Sequence, residues 1–528
     1  MLQSVSPPAL KAMLSDGEEL ALIDVREELI FSEGHLFFAR CVPLSRLELR
    51  FPALVPRRST RIVLCDDGDG LSKRAGEVLA RSGYNNLFAL AGGLPAWSKH
   101  GYELFSGVNV PSKAFGEFVE HACATPSIAA EELHRLIANG DDVVVVDSRP
   151  FDEYQRVSIP TATNVPGAEL VLRIRDIAPS ARTTVVVNCA GRTRSIIGAQ
   201  SLINAGVPNK VLALRNGTMG WSLAGLTCES GDTRRFPALS PGSVAFARSA
   251  ADRVARRFGI ARIDRKTLDA FRNDGQRTLY VFDVRDPTEY ARGHFPGARP
   301  APGGQLVQAT DQYVGTLGAR IVLVDEAEVR AVMTASWLWQ MGWQDVFVLA
   351  ESGNETIAIE SEPLGSLDVG RRMSCAELSA LMAKDAATVI DLSLSRAYRK
   401  AHIPGAWFAI RSQLERALRK IAIRGSLVLT SEDGMLGGLA APETSALTDA
   451  PVRYLMGGNE AWQKAGYPLA AEPLRMADQP VDMWLKPYER SSDTTKAMRD
   501  YLEWEIDLLA RVERDGSANF TAAASVSD

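Results

Sequence analysis

Of the six cysteines in this chain, Cys189 stands where a thiol becomes reactive. It follows the β-branched run TVVVN and opens the loop C-A-G-R-T-R, and SIIGAQSLINAG then reads as a helix. A loop that wraps from a strand end into a helix N-terminus aims several backbone N–H groups at one point. Sulfur held there is favoured as thiolate, because its charge meets N–H dipoles and the positive helix end. Arg192 and Arg194 add two permanent cations. Such a thiolate suits attack on the outer sulfur of a donor. An anion such as sulfite leaves, and the persulfide passes its sulfur to cyanide or a thiol, with no general base required. The plainer reading, a cysteine buried as a small hydrophobe, fits a strand end and a two-arginine loop less well. The candidate site is therefore Cys189 as nucleophile, with Ala190, Gly191, Arg192, Thr193, Arg194 and Ser195 around the donor.

Cys41, Cys123, Cys228 and Cys375 lie outside any such loop and default to packing. There is no C-x-x-C pair and His is scarce, which argues against a structural zinc site or any metal, and a disulfide framework is not expected in a reducing compartment and a chain this large. No cofactor is expected. A net charge of −5 supplies no basic field for nucleic acid or anionic membrane. No apolar run approaches the ~20 residues of a membrane helix. The N-terminal MLQSVSPPAL has neither a basic region nor an apolar signal core. These features lead us to expect a cytoplasmic protein.

The elements that position Cys189 recur four times. Apolar runs LALID, VVVVD, LYVFD and TVID end at Asp24, Asp147, Asp283 and Asp391, each reading as a buried parallel strand. Second runs end at Cys65, Cys189, Asp325 and Thr430. Third runs lead to Gly93, Gly217, Gly353 and Gly458, each 28 residues further on. Trp97, Trp221 and Trp462 follow by four residues, with Ile357 in the third unit. The spacing aligns Cys65, Cys189, Asp325 and Thr430 with one another. Helix starts are read at Ser6 before Pro7 and Pro8, at Ser127, and at the Ser374/Glu377 capping box. Strand–helix–strand order at these lengths predicts an α/β fold of four tandem domains, each a parallel sheet flanked by helices. Boundaries are read at 1–110, 127–233, 262–365 and 370–474. Segment 236–259 is read as a partly helical bridge between the halves. A helical tail over 476–528 ends in a small-residue, disordered-looking run, and its helix offers a face for a partner chain.

The segments IDVREELIFSEGHLFFA, VFDVRDPTEYARGHFPGA and AHIPGAW resemble the Asp-x-Arg, Glu-Tyr and Gly-His-Ile-Pro-Gly-Ala signatures of the rhodanese family. Unit two departs from this, with Ser158 where the others carry His35, His294 and His402. In rhodaneses that His is not catalytic, so the resemblance implies turn residues there. The pairs Asp24/Arg26, Asp147/Arg149 and Asp283/Arg285 read as structural ion pairs. The resemblance implies four rhodanese-like domains and a thiosulfate-type sulfurtransferase. Its partners would be a thiosulfate-like anionic donor and a thiol or cyanide acceptor, with a protein sulfur acceptor as a further expectation. The basic loop leans toward thiosulfate, since mercaptopyruvate enzymes favour a neutral C-G-S-G loop.

Only unit two is expected to work. Cys65 opens the acidic loop C-D-D-G-D-G-L, where Asp66, Asp67 and Asp69 would raise a thiol pKa and repel an anionic donor. That loop also lacks the spacing of a calcium site. Asp325 and Thr430 cannot form a persulfide. The rival readings are a multi-domain sulfur carrier that docks a partner, and a cysteine-dependent phosphatase or arsenate reductase. The latter uses C-x5-R, where this loop is C-x4-R.

Overall fold

The computed structural model describes residues 2–350, 363–490 and 492–522. Among them stand four sheets of one design. In the second unit the order is Ser127–Ile128, Val211–Leu214, Thr184–Asn188, Val143–Asp147, Thr163–Asn164, with every neighbour parallel. The central strands are the continuous β-branched runs, covered by helices on both faces. One strand breaks the pattern. Thr316–Leu317 of the third unit pairs antiparallel with Leu20 and Ala21 of the first, adding a sixth strand there.

Ser6 and Ser374 cap their helices, and both halves of the Ser374/Glu377 box form. Ser127 does not start a helix. It belongs to an edge strand, and the helix begins at Ala130.

The ladders also correct the alignment of the four units. Asp24 pairs with Cys65, Asp147 with Asn188, Asp283 with Val324 and Asp391 with Thr430. The counterparts of Cys189 are therefore Asp66, Asp325 and Ser431, while Cys65 and Thr430 correspond to Asn188. The misalignment arose because the path from this position to the glycine is one residue shorter in units one and four. The glycine itself has a packing reason. Gly93, Gly217 and Gly458 have φ of 61°, 53° and 59°, and a Cβ there would collide with the carbonyls of Asp66, Cys189 and Ser431. The tryptophans that follow are buried and donate Nε1 to the carbonyls of Glu103, Thr227 and Pro468 at 2.8–2.9 Å, pinning the exit loop of each unit. Gly353 and Ile357 lie outside the described residues.

Unit one packs on unit four as well as on unit three, and unit two packs on unit three. Glu48 receives both Nη groups of Arg411 at 2.8 Å. Glu169 receives Arg330 Nη1 at 2.8 Å. The bridge forms the helix Pro241–Phe258, lying against Leu170–Ile177 of unit two and Val329–Gln340 of unit three. The tail forms the helix Thr494–Asp515, which packs on the linker helix Val110–Cys123 of its own chain. Its buried face, Met498, Leu502, Glu505, Leu508 and Val512, is thus already occupied and is not left for a partner chain. In the part of the small-residue run that is described, Phe520 packs against Phe37, Phe115 and Phe118. Residues 523–528 lie outside the described residues.

Candidate active site

Cys189 lies one residue beyond the strand Thr184–Asn188 and is 2% exposed. Its Sγ lies 3.5 Å from Ser195 Oγ, which in turn donates to the Arg192 carbonyl at 2.7 Å. The helix runs Thr193–Asn204, so Arg192 is its N-cap residue and Arg194 sits in its first turn. The N–H groups of Gly191 through Arg194 meet no protein acceptor among the described residues. First-turn N–H groups have no intrahelical carbonyl to bind, so the loop that Cys189 opens carries donors available to an anion.

The two arginines part company. Arg192 turns away from the sulfur. It gives Nε and Nη2 to Glu117 at 2.7 Å each, pairs also with Glu120, and reaches Asn216 Oδ1 at 3.2 Å. Arg194 places Nη2 3.0 Å from Glu153 Oε2 and Nη1 3.2 Å from Gln305 Oε1 of the third unit. Burial weakens the Arg194 charge and Glu153 restores it, with the Cys189 sulfur acting in the same direction as Glu153. Behind the loop, Arg149 is fully buried against Asp147 (2.7 and 2.9 Å) and the Val157 carbonyl (2.6 Å), the structural role expected of the Asp-x-Arg pair. Its Nη1 meets no partner among the described residues.

The other units show what this position holds when it is not cysteine. Asp325 Oδ2 accepts from the backbone N–H of Arg330 at 2.8 Å, and Oδ1 takes Arg330 Nε at 2.9 Å. Arg330 is the counterpart of Arg194 and binds Glu289, the counterpart of Glu153, at 2.6 Å. Asp66 accepts from Gly68 N and Ser72 N at 2.9 Å each. In both units a carboxylate fills the cradle, so the loop geometry receives anions. The next residue differs too. Asp67 and Glu326 pair with Arg26 and Arg285, the counterparts of Arg149, and unit four carries Glu432 there. Unit two has Ala190 and leaves that place uncharged. Asp66 and Asp67 are thereby engaged within unit one, and Asp69 accepts from Leu71 N, so the acidic loop does not converge on a cation. Cys65 points instead into the apolar cluster with Val5, Leu22 and Val63. Burial, then Asp24, pushes its thiol well above the ordinary range.

A cavity of about 260 Å³ adjoins Ala190 and Arg194. Its walls come from four parts of the chain: Lys113 of the linker helix, Glu153 of unit two, Gln305 and Gln308 of unit three, and Lys486, Tyr488 and Tyr501 of the tail. Glu505, 1% exposed, accepts from Lys113 Nζ at 2.9 Å and Tyr501 OH at 3.0 Å over the loop. Sequence reasoning named none of these. Glu153 carried a signal, since Glu289 repeats it six residues after the strand Asp. The tail residues lie in no repeat and carried none.

The family model described as Rhodanese-like domain matches residues 6–100, 129–224, 264–356 and 374–465. The crystal structure of a thiosulfate sulfurtransferase from Pseudomonas aeruginosa superposes with a TM-score of 0.96 at 46% identity, over 99% of this chain and 100% of that one. A sulfurtransferase of Allochromatium vinosum is 27% identical over 101 residues, 19% of this chain and 92% of its own length. An adenylyltransferase and sulfurtransferase of Zea mays is 35% identical over 95 residues, which span 17% of this chain and 20% of that protein.

Proposed function

Because this chain belongs to the rhodanese family, we propose that it is a sulfurtransferase that moves sulfane sulfur from thiosulfate through a persulfide on Cys189. The Cys189 thiolate attacks the outer sulfur of thiosulfate, the S–S bond breaks, and sulfite leaves with the electron pair. Cyanide or a small thiol then takes the terminal sulfur and returns the thiolate. The observation that carries this reading is the cradle itself. The same loop that binds a carboxylate at Asp66 and Asp325 holds a sulfur at Cys189, with Arg194 beside it. The likeness to a thiosulfate sulfurtransferase over the whole chain supports the donor. The residues proposed to surround the donor are Ala190, Gly191, Thr193, Arg194 and Ser195; Arg192 supports the loop from behind.

A small acceptor suits a thiol only 2% exposed beneath the tail helix, and a protein acceptor would have to reach past that helix. Phosphoryl or arsenate chemistry is disfavoured, because Arg194 is held by Glu153 and Gln305. No helix of the described residues is long and apolar enough to cross a membrane. The six unpaired cysteines support a reducing setting such as the cytoplasm.

Mass spectrometry after thiosulfate treatment tests the reading. We expect one extra sulfur on the peptide holding Cys189 and no thiocyanate production by Cys189→Ser. Full activity in Cys189→Ser would overturn the mechanism.

A further inference from the structure

Among the described residues, Arg192, Lys113 and the pair Arg194/Lys486 stand in the charged groups over the Cys189 loop, and the last of these has cation to spare. Arg192 faces two carboxylates, Glu117 and Glu120. Lys113 faces one, Glu505. Arg194 and Lys486 share a single carboxylate, Glu153, each with a nitrogen 3.0 Å from Oε2. Burial pushes the Glu153 carboxyl up, but the two cations outweigh it and hold the group well below the usual carboxylate range. Glu153 is therefore ionised, and one positive charge remains unmatched. This surplus lies on the wall of the cavity beside Ala190, where units one, three and four carry an acid instead.

Lys486 is the accessible member of the pair. Its side chain is 32% exposed, against 13% for Arg194. Burial and the Arg194 charge lower its pKa; Glu153 and, more weakly, Glu489 oppose them, and Glu489 is itself paired with Arg156 and Arg396. An ammonium that is partly stripped of water and crowded by a second cation gains from the arrival of an anion. The neighbouring Arg149 Nη1, buried without a partner among the described residues, adds to the same field. Lys486 belongs to the segment beyond residue 465, outside all four family matches.

We propose that the C-terminal segment completes the sulfur-donor site, with Lys486 binding the anionic end of the donor and setting selectivity for its charge. The proposal rests on the sulfur-transfer reading above. Thiosulfate enters with its outer sulfur toward Cys189 and its sulfonate end toward Lys486 and Arg194. The tail is then a working wall of the site rather than a cover.

The test compares thiosulfate, a dianion, with an alkanethiosulfonate, a monoanion that gives the same Cys189 persulfide and releases a sulfinate. In the full chain, Lys486→Gln should lower kcat/KM for thiosulfate about tenfold, nearly all in KM, the size expected of one charge-assisted hydrogen bond. The thiosulfonate should lose markedly less, and Lys486→Arg should recover most of the thiosulfate activity. Equal losses for both donors, or no loss, would overturn the proposal. If Lys486→Gln unfolds, Lys486→Arg decides: weakened thiosulfate binding with charge and fold retained also overturns it. Wild-type protein that forms no persulfide with either donor would refute the parent reading. A reactive wild type matched by Lys486→Gln would refute this inference alone.

Discussion

Arg330 clasps Asp325 through its backbone N–H at 2.8 Å, Nε at 2.9 Å and Nη2 at 2.7 Å, and both residues are buried. These are the counterparts of Arg194 and Cys189. The third unit thus displays a static anion at the nucleophile position and the arginine contacts that such an anion attracts. The same helix turn in unit two would offer them to a thiolate or persulfide.

Arg194→Ala should therefore lower kcat/KM for thiosulfate. A charge-assisted hydrogen bond is worth about 1.5–3 kcal/mol, which is roughly ten- to a hundredfold in rate. Steady-state thiocyanate formation by the variant, measured beside a denaturant melt, checks this. A normally active variant would show that Arg194 serves only to hold Glu153 and Gln305.

Cys65→Ser should keep its sulfur-transfer activity. Cys65 is a strand residue facing the apolar core, aligned with Asn188 and not with Cys189. The cost should fall on stability, about 1–3 kcal/mol for a buried hydroxyl with no partner. Denaturant melts and steady-state rates together would separate the two. A variant that folds normally but is inactive would mean that sulfur passes between units one and two.

Glu27 offers a pH test of the contact between units one and four. Its carboxylate accepts from Ser45 at 3.0 Å and from Ser412 of the fourth unit at 2.8 Å. Burial pushes it up to about 7, against the two serine hydrogen bonds. Between its unfolded value near 4.5 and about 7, the native chain holds a proton that the unfolded chain has released. Stability should fall as pH rises through that window. Glu27→Gln should remove this slope and gain up to about 3 kcal/mol at pH 8, from 1.36 kcal/mol per pKa unit, with little change at pH 5. Parallel stability curves for the two proteins would refute the assignment.

The fold was legible because buried parallel strands write themselves as unbroken β-branched runs, and four copies reinforce one another. Cys189 was legible for the same reason, as a reactive residue type at a strand end. Register was not. Counting to Gly93 and Gly458 hid a loop one residue shorter, and only the ladders show that Asp66 and Ser431 hold the nucleophile position. The cavity was hidden for a different reason. Lys113, Gln305, Lys486 and Tyr501 converge from distant parts of the chain, and tertiary packing between unlike segments leaves no local pattern. The direction of Arg192 was hidden likewise, since its partners Glu117 and Glu120 lie on a linker helix outside the repeat.

That direction leads to a prediction opposite in kind to the one for Arg194. Glu117 is 3% exposed, and burial raises its carboxyl while Arg192 pulls it back. Removing the guanidinium in Arg192→Ala leaves a buried carboxylate without its cation, a change that typically costs about 3–5 kcal/mol. The native chain would then take a proton at Glu117 that the unfolded chain lacks above pH 4.5, so the loss of stability should be larger at pH 8 than at pH 5. Adding Glu117→Gln should restore most of it. Any fall in activity should track the folded fraction and be equal for thiosulfate and an alkanethiosulfonate, because Arg192 faces away from the donor. The measurement is unfolding free energy at both pH values alongside kcat/KM for both donors. A normally stable Arg192→Ala with a loss confined to thiosulfate would place its guanidinium on the donor after all.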